Sequence, residues 1–369
     1  MRIYHLVGSQ EDVGGVLTVI RSIQEASAVW GWQHVTGVHD DYRETRRPAL
    51  TYKRSPFLLG ESPSYLKMVR SSIRAFLEFK RDPDQSKFDV LHFHSRGTLP
   101  MAVLTASWLK RPVVTTIHCL PNQKRLYQWV VHRPRVHAVC VSRFVASHLQ
   151  LADDPRVRVI SACCRDSFFQ GDLARRRYVP GGSEPLKLAS IGNIVRWKKW
   201  DLAIQGIAEL PSEDRRRVQF TLWGPTQSDD DSRQFEREMR ELVARHKLEG
   251  AVHLPGSAPS VVEALRETDW VIHPTFHEPC AVSVIEALAT GVPVLPPTGG
   301  GPVEITGPGS LSFTPDDPRD LARQIQRILK GEFRAKSPAD LRESVRHRSA
   351  TGVARQYGEL YDLVTRRPS

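Results

Sequence analysis

The chain has 369 residues, of which 40% are hydrophobic and 25% charged, and this composition excludes a disordered or fibrous protein while it provides for two domains with cores. The sequence contains no run of about 18 apolar residues, the length needed to span a membrane, and its N-terminal apolar run is too short for a signal peptide. The five cysteines include no CxxC pair, which argues against a disulfide framework. The excess of positive charge lies in the N-terminal half, since the net charge is +12 for residues 1–180 and −1 for residues 181–369. We therefore expect a soluble cytoplasmic protein whose N-terminal half attracts anions.

The N-terminal half alternates short β-rich runs with helical patterns. We predict strands at residues 1–7, 88–92, 113–117 and 136–141, helices at 16–28 and 144–151, and a linker at 175–184. Because helices must then cover both faces, a parallel, doubly wound sheet is the economical arrangement. The loop at 8–16 contains Gly14 and Gly15 but lacks the spacing of a dinucleotide-binding loop.

A basic amphipathic pattern follows at residues 65–80, where Lys67, Arg70 and Arg74 lie on a different face from the apolar positions. Such a helix can contact an acidic membrane, although most surface helices of this kind pack on their own sheet. Membrane contact is favoured by residues 90–152, which contain eight Lys or Arg and no acidic residue.

The same alternation restarts in the C-terminal half and predicts a second sheet of the same class. We predict strands at residues 186–191, 218–223, 252–254, 271–273 and 292–295, and helices at 201–210, 232–248, 261–267, 281–289, 319–330, 338–346 and 353–365.

A basic turn lies between the first strand and the first helix of this half. Arg196, Lys198 and Lys199 follow Gly192 and Asn193 there. Because open α/β sheets bind ligands at the carboxyl ends of their strands, these cations are placed to meet an anion. A solvated basic turn is the alternative.

The segment at residues 269–305 carries two glutamates around a predicted helix start. Glu278 precedes Pro279, which we expect at the first helical position, and Glu286 would then lie about 12 Å further along the helix axis. That separation is too large for two carboxylates that cleave one glycosidic bond. The free amides of Cys280, Ala281, Val282 and Ser283 predict a phosphate site. A capping Glu followed by a surface Glu is the alternative.

Two D-x-D patterns, at residues 82–84 and 229–231, could in principle bind a metal. Neither follows a convincing strand, so we expect no metal site.

The C-terminal motifs resemble those of the retaining GT-B glycosyltransferases of family 4, whose signature is E-x7-E followed by EALAxGxPV and GG-x-x-E. Glu278 and Glu286 match the first element, residues 286–294 the second and residues 300–304 the third. The sequence departs from the family pattern at Asn193, Lys199, Cys280 and Ala281 in the C-terminal half, and at Ala162 and Cys163 before it.

The resemblance implies two Rossmann-like domains that face a cleft, with boundaries at 1–177 for the acceptor domain, 185–350 for the nucleotide-sugar domain and 351–369 for a helix that returns to the first. It implies retaining, metal-independent transfer of a sugar from a uridine or guanosine diphosphate sugar to a hydroxyl of a glycan or lipid-linked acceptor, in polysaccharide or glycolipid assembly. No further cofactor and no nucleic acid are expected.

The resemblance also implies roles for individual residues. His118, Glu278, Arg196 and Lys198 would act on the reacting groups, with His94 as a weaker candidate. The donor would be bound by Gly14, Gly15, Gly192, Asn193, Lys199, Cys280, Ala281, Val282, Ser283 and Glu286.

Two alternatives remain open. A sugar-nucleotide epimerase of the same fold would use the donor without an acceptor. A noncatalytic sugar-nucleotide sensor, or a nucleic-acid-binding protein that uses the basic half, would not turn the donor over.

Overall fold

A computed structural model describes residues 1–12, 14–62, 64–171 and 178–366. The chain forms two compact units. One comprises Met1–Asp166 and the C-terminal segment from Arg348, and the other comprises Ser167–His347. The predicted domain end at residue 177 lies outside the described residues.

The first unit contains a seven-stranded parallel sheet in the order β3-β2-β1-β4-β5-β6-β7. Strands β1 to β7 are Arg2–Leu6, Gln33–His39, Tyr52–Ser55, Val90–Phe93, Val113–Ile117, Val136–Cys140 and Val157–Val159. Helices α1 to α5 are Gly15–Ser27, Tyr65–Arg81, Leu99–Trp108, Lys124–Val131 and Arg143–His148. The interior strand β5 is buried at every position, as expected for a β-branched strand that helices cover on both faces.

The second unit contains a five-stranded parallel sheet in the order β10-β9-β8-β11-β12. Strands β8 to β12 are Leu186–Ile191, Val218–Trp223, Val252–Gly256, Trp270–Ile272 and Val294–Leu295. Helices α6 to α13 are Trp200–Ala208, Ser212–Arg215, Asp230–Arg245, Val261–Arg266, Val282–Ala289, Gly300–Thr306, Pro318–Leu329 and Pro338–Ser344. Its core includes Trp200, Phe220 and Leu321, all fully buried. The predicted class of two parallel α/β sheets is confirmed.

The last helix, α14 at Ala350–Thr365, belongs to the first unit, where it packs against α1. Tyr361 hydrogen-bonds through its hydroxyl to Nδ1 of His92 at 2.7 Å, and the Tyr357 hydroxyl lies 3.1 Å from Oγ1 of Thr116. These buried polar contacts attach the end of the chain to strands β4 and β5.

Strand order reverses at one point in each sheet. In the first unit β1 lies between β2 and β4, and in the second unit β8 lies between β9 and β11. The loops that leave the two strands at such a point diverge to opposite faces and leave a crevice, which is where open α/β sheets bind ligands.

Candidate functional site

The loops after β8 and β11 meet at the point of reversal in the second unit. Lys198, in the loop after β8, donates a hydrogen bond through Nζ to the Glu278 carboxylate in the loop after β11. Oγ1 of Thr275 donates to the Lys198 carbonyl at 2.7 Å and joins the same two loops. The structure thus brings together two of the four residues predicted to act on the reacting groups.

The Lys198–Glu278 pair is largely shielded from water, with 17% and 9% of the two side chains exposed. Burial alone would raise the pKa of Glu278, but the charge of Lys198 lowers it to about 2. Nε2 of His273 lies 3.7 Å from the carboxylate, beyond hydrogen-bond length, and has no hydrogen-bond partner among the described residues. Burial lowers the pKa of His273, so its ring is neutral at pH 7.

The helix after Glu278 begins later than the sequence predicts. Pro279 is not its first residue, because Ala281 is extended, with φ −82° and ψ 103°, and α10 starts at Val282. Glu278 therefore lies off the helix, and a separation measured along the helix axis does not apply to it. No side chain caps the helix start, so the amides of Val282 and Ser283 begin α10 without a side-chain acceptor, the arrangement that favours anions.

The remaining residues predicted at this helix start are only partly accessible. Ala281 is 2% exposed, so its methyl group lies inside the unit. Cys280, Val282, Ser283 and Glu286 are half-buried.

The glycine pair of the GG-x-x-E element holds the Glu278 loop in place. The Gly301 amide donates to the Glu278 carbonyl at 3.0 Å. A Cβ on Gly301 would lie 2.3 Å from the carbonyl oxygen of Pro279, and one on Gly300 would lie 2.2 Å from that of Phe276. Backbone contacts this close require glycine.

Other residues of the basic turn point to different partners. Arg196 donates to Glu238 at 2.6 Å and to Asp231 at 3.1 Å, both on α8, and its side chain is 44% exposed. The expected role of Arg196 as a second phosphate ligand therefore requires it to exchange these carboxylates for the ligand. Asn193 accepts a hydrogen bond from the Trp200 indole through its carbonyl at 3.0 Å, directly after Gly192.

Lys199 occupies the position where the family pattern has glycine. Its backbone is left-handed, with φ 54° and ψ 40°, which explains the glycine preference there because this conformation costs an L-residue about 1–2 kcal/mol. Its ammonium group pairs with Asp316 at the surface.

The point of reversal in the first unit borders a cavity of about 530 Å³, lined among others by Gly14, Gly15, His94, His118 and Cys119. Gly14 precedes α1 with φ 88°, and α1 starts at Gly15 without a side-chain cap. A Cβ at either glycine would meet nothing within 4 Å, so both face open space.

His118 and His94 are joined by a hydrogen bond of 3.0 Å between Nε2 of His118 and Nδ1 of His94. Burial lowers the pKa of His118 to about 4 and that of His94 well below its ordinary value. Both rings are therefore neutral at pH 7.

Sequence reasoning did not identify three further histidines near these sites, which are His5, His34 and His273. All three are buried. His5 lies on β1 and His34 on β2, and His273 directly follows the last residue of β11. The sequence signal that could have identified them is a histidine within or at the end of an apolar strand.

The carboxylates of the D-x-D patterns have other partners. Asp82 pairs with Lys53 at 2.8 Å, Asp229 accepts from the Ser232 amide at the start of α8, and Asp231 binds Arg196. His5, His92 and His94 place ring nitrogens within 4.8 Å of one another. Within that group His5 is hydrogen-bonded to His94, and His92 to Tyr361 and Thr116.

Helix α2 presents both apolar and basic side chains to solvent. Leu66, Ile73 and Leu77 are 58%, 42% and 44% exposed, and Arg70 and Arg74 are exposed on the same helix. The inner face that packs on the unit consists instead of Met68, Ser72, Ala75, Phe76 and Phe79. Among the described residues, no helix has the length and apolarity needed to cross a bilayer.

Comparison with known proteins assigns both units. The family model described as "Glycosyl transferases group 1" matches residues 177–348, and the model "Glycosyltransferase Family 4" matches residues 13–164. The chain is a family 4 glycosyltransferase. As such it transfers a sugar from a nucleotide sugar, and the predicted family is confirmed.

Individual relatives of this glycosyltransferase are distant. A 2-deoxystreptamine N-acetyl-D-glucosaminyltransferase of Niallia circulans is 24% identical over 283 residues, which cover 69% of this chain and 70% of the relative. Sucrose-phosphate synthase of Thermosynechococcus elongatus superposes with a TM-score of 0.78 at 19% identity, covering 99% of both chains. Anabaena HepE in complex with UDP-glucose gives 0.73 at 15% identity, covering 98% of this chain and 100% of its own. These structural matches establish the GT-B fold.

Proposed function

We propose that this glycosyltransferase acts with retention of configuration and without a metal, and transfers a sugar from a uridine or guanosine diphosphate sugar to a hydroxyl of a glycan or lipid-linked acceptor. The observation that carries the proposal is the shielded contact of Lys198 with Glu278, at the sheet reversal and next to the uncapped start of α10.

Lys198 is the group best placed to hold the donor diphosphate. An ammonium group has three donors, and the bond to Glu278 uses one of them while it fixes the direction of the side chain. The others can meet phosphate oxygens, together with the amides at residues 280–283. Preorganised cations and helix amides can stabilise the charge that develops on a departing diphosphate, so the mechanism needs no metal.

Glu278 is unsuited to act as an acid because its pKa of about 2 keeps it ionised. Its ion pair with Lys198 also makes it a poor nucleophile. We therefore assign Glu278 to orienting the donor sugar, and Glu286, one helical turn into α10, to the ribose hydroxyls. A same-face substitution assisted by the departing phosphate is consistent with these roles.

Acceptor binding is assigned to the cavity of the first unit, around His118. The excess positive charge of residues 1–180 favours an anionic or lipid-linked acceptor. The exposed apolar and basic residues of α2 favour peripheral contact with an acidic membrane, since both the hydrophobic and the electrostatic contribution are available on one helix. The setting we propose is polysaccharide or glycolipid assembly in the cytoplasm.

The donor proposal also draws on similar proteins. HepE was crystallised with UDP-glucose, and the Niallia relative is named as an N-acetylglucosaminyltransferase. The HepE complex favours a uridine diphosphate donor over guanosine diphosphate for this chain, and the Niallia name adds N-acetylglucosamine to the sugars to be tested.

A thermal-shift screen with nucleoside diphosphates and their sugars tests the donor site, because a ligand that binds only the folded protein raises the unfolding temperature. We expect a shift with the matching diphosphate, and we expect Lys198→Ala and Glu286→Ala to abolish it. Lys53→Ala is the matched control, since it also removes a lysine from an ion pair, the one with Asp82, and it should keep the full shift.

A shift that persists in both site variants would reject the assignment. Incubating the protein with the donor alone separates transfer from epimerisation, since an isomerised sugar formed without acceptor would support an epimerase instead.

A further inference from the structure

The first unit contains a continuous chain of hydrogen-bonded imidazoles that ends at the cavity. Its members are Ser27, His34, His5, His94 and His118, which we call the histidine relay. Successive distances are 2.8 Å from Ser27 Oγ to His34 Nε2, 2.8 Å from His34 Nδ1 to His5 Nε2, 2.9 Å from His5 Nδ1 to His94 Nε2 and 3.0 Å from His94 Nδ1 to His118 Nε2.

The inner end of the relay has a defined direction. The Ser27 hydroxyl lies 2.7 Å from the carbonyl oxygen of Ile23, one helical turn earlier, and this oxygen can only accept. Serine and threonine hydroxyls within helices commonly donate in this way. Because the hydroxyl has one hydrogen, Ser27 must accept from His34, and Nε2 of His34 therefore carries a proton.

The protonation of Nε2 in His34 determines the tautomer of each following histidine up to the cavity. A neutral imidazole has one donor nitrogen and one acceptor nitrogen. Burial lowers the pKa values of His34 and His118 to about 4, and it lowers those of His5 and His94 well below their ordinary value, so all four rings are neutral at pH 7. With Nε2 protonated, His34 accepts at Nδ1 from Nε2 of His5. His5 then accepts at Nδ1 from Nε2–H of His94, and His94 accepts at Nδ1 from Nε2–H of His118.

We propose that Ser27, His34, His5 and His94 are positioning residues that hold His118 as its Nε2–H tautomer and leave its Nδ1 as a hydrogen-bond acceptor. Nδ1 of His118 has no hydrogen-bond partner in the part of the chain that the structure describes, and His118 lines the cavity. The bond made by one ring nitrogen decides which role the other can take.

The tautomer limits what His118 can bind. An acceptor nitrogen matches a hydroxyl, which brings a hydrogen, and disfavours a phosphate or carbonyl oxygen. Resting on the proposed function, this selects a sugar or acceptor hydroxyl, rather than a phosphate oxygen, as the group that meets Nδ1 of His118.

Nuclear magnetic resonance of the full chain labelled with ¹⁵N-histidine tests the relay without any substrate. Ring-nitrogen shifts distinguish protonated from bare nitrogens, and the signals of His118 are identified by their loss in His118→Asn. We expect Nε2–H to exceed Nδ1–H at His118 by at least about tenfold, the ratio that one buried hydrogen bond provides. Predominant Nδ1–H in the parent protein would overturn the inference.

The Ser27→Ala variant tests control from the far end of the relay. Without the hydroxyl, Nε2 of His34 has no partner in either tautomer, so Ser27 no longer selects the direction of the relay. The ratio of Nε2–H to Nδ1–H at His118 should then fall by at least about tenfold. Tyr361→Phe is the matched control, because it removes a hydroxyl bonded to the neighbouring His92 but no bond of the relay. It should leave the ratio unchanged.

An unchanged ratio in Ser27→Ala, or an equal change in both variants, would refute the relay. Since no ligand is involved, that failure is distinct from the loss of the donor assignment in the thermal-shift screen.

Discussion

Replacing Lys198 by Met should lower the free energy of unfolding of the second unit, by an amount that can be calculated from the pKa shift of Glu278. The substitution keeps an unbranched side chain of similar length but removes the charge that faces Glu278. The pKa of Glu278 lies at about 2 against an ordinary 4.5, a difference that corresponds to about 3 kcal/mol of stability at neutral pH. Removing one partner of a buried pair costs a similar amount, about 3–5 kcal/mol.

The pH dependence separates this electrostatic cause from a loss of packing. In the parent protein the pKa of Glu278 is lower when folded, so its contribution is complete above about pH 4.5 and is lost as the pH falls towards 2. In Lys198→Met, burial without a cation should raise the pKa of Glu278 above its ordinary value. The deficit of the variant relative to the parent should therefore shrink when the pH is lowered from 7 to 5.

Urea unfolding of both proteins at pH 7 and pH 5, followed by tryptophan fluorescence, measures this deficit. The double variant Lys198→Met with Glu278→Gln is the control, because it leaves no buried charge and should recover about 2 kcal/mol of the loss. A deficit below about 1 kcal/mol at pH 7, or one of equal size at both pH values, would refute the reasoning.

Four further substitutions test the backbone at both sites, each by urea unfolding. Lys199→Gly should stabilise the protein by up to about 1 kcal/mol, since it relieves a left-handed residue at the expense of an exposed ion pair worth about 0–1 kcal/mol; a clear loss would contradict this. Gly14→Ala should destabilise by about 1 kcal/mol or more because of its positive φ, whereas Gly15→Ala in the first turn of α1 should be neutral or slightly stabilising, and equal effects would be evidence against the described backbone. Gly301→Ala should cost about 1–3 kcal/mol because its Cβ meets backbone oxygen, and a neutral result would show that the Glu278 loop adapts.

The parts of the site that sequence predicts well are those set by local chemistry. The glycine pair at 300–301 and the order of strand, loop and helix around Glu278 follow from residues within a short segment. The sequence predicts the start of α10 too early because Pro279 suits a first helical position, whereas no residue type signals the extended backbone at Ala281.

Features that depend on long-range contacts were not predictable in this way. Arg196 is held by Asp231 and Glu238, residues 35 and 42 positions later, which become neighbours only through the packing of α8. The histidine relay spans β1, β2 and two further strand ends, and only the parallel sheet order brings those rings into one line. The sequence patterns predict no strand at the positions of β2, β3 and β7.

The attachment of α14 to the first unit means that this unit is not a continuous stretch of sequence. A fragment that stops at Asp166 would remove Tyr361 from His92 and Tyr357 from Thr116, and would leave the face of α1 that α14 covers open to water. Two buried strands would then lose polar partners that come from the opposite end of the polypeptide. During synthesis, the first unit can therefore complete its core only after the whole second unit has left the ribosome.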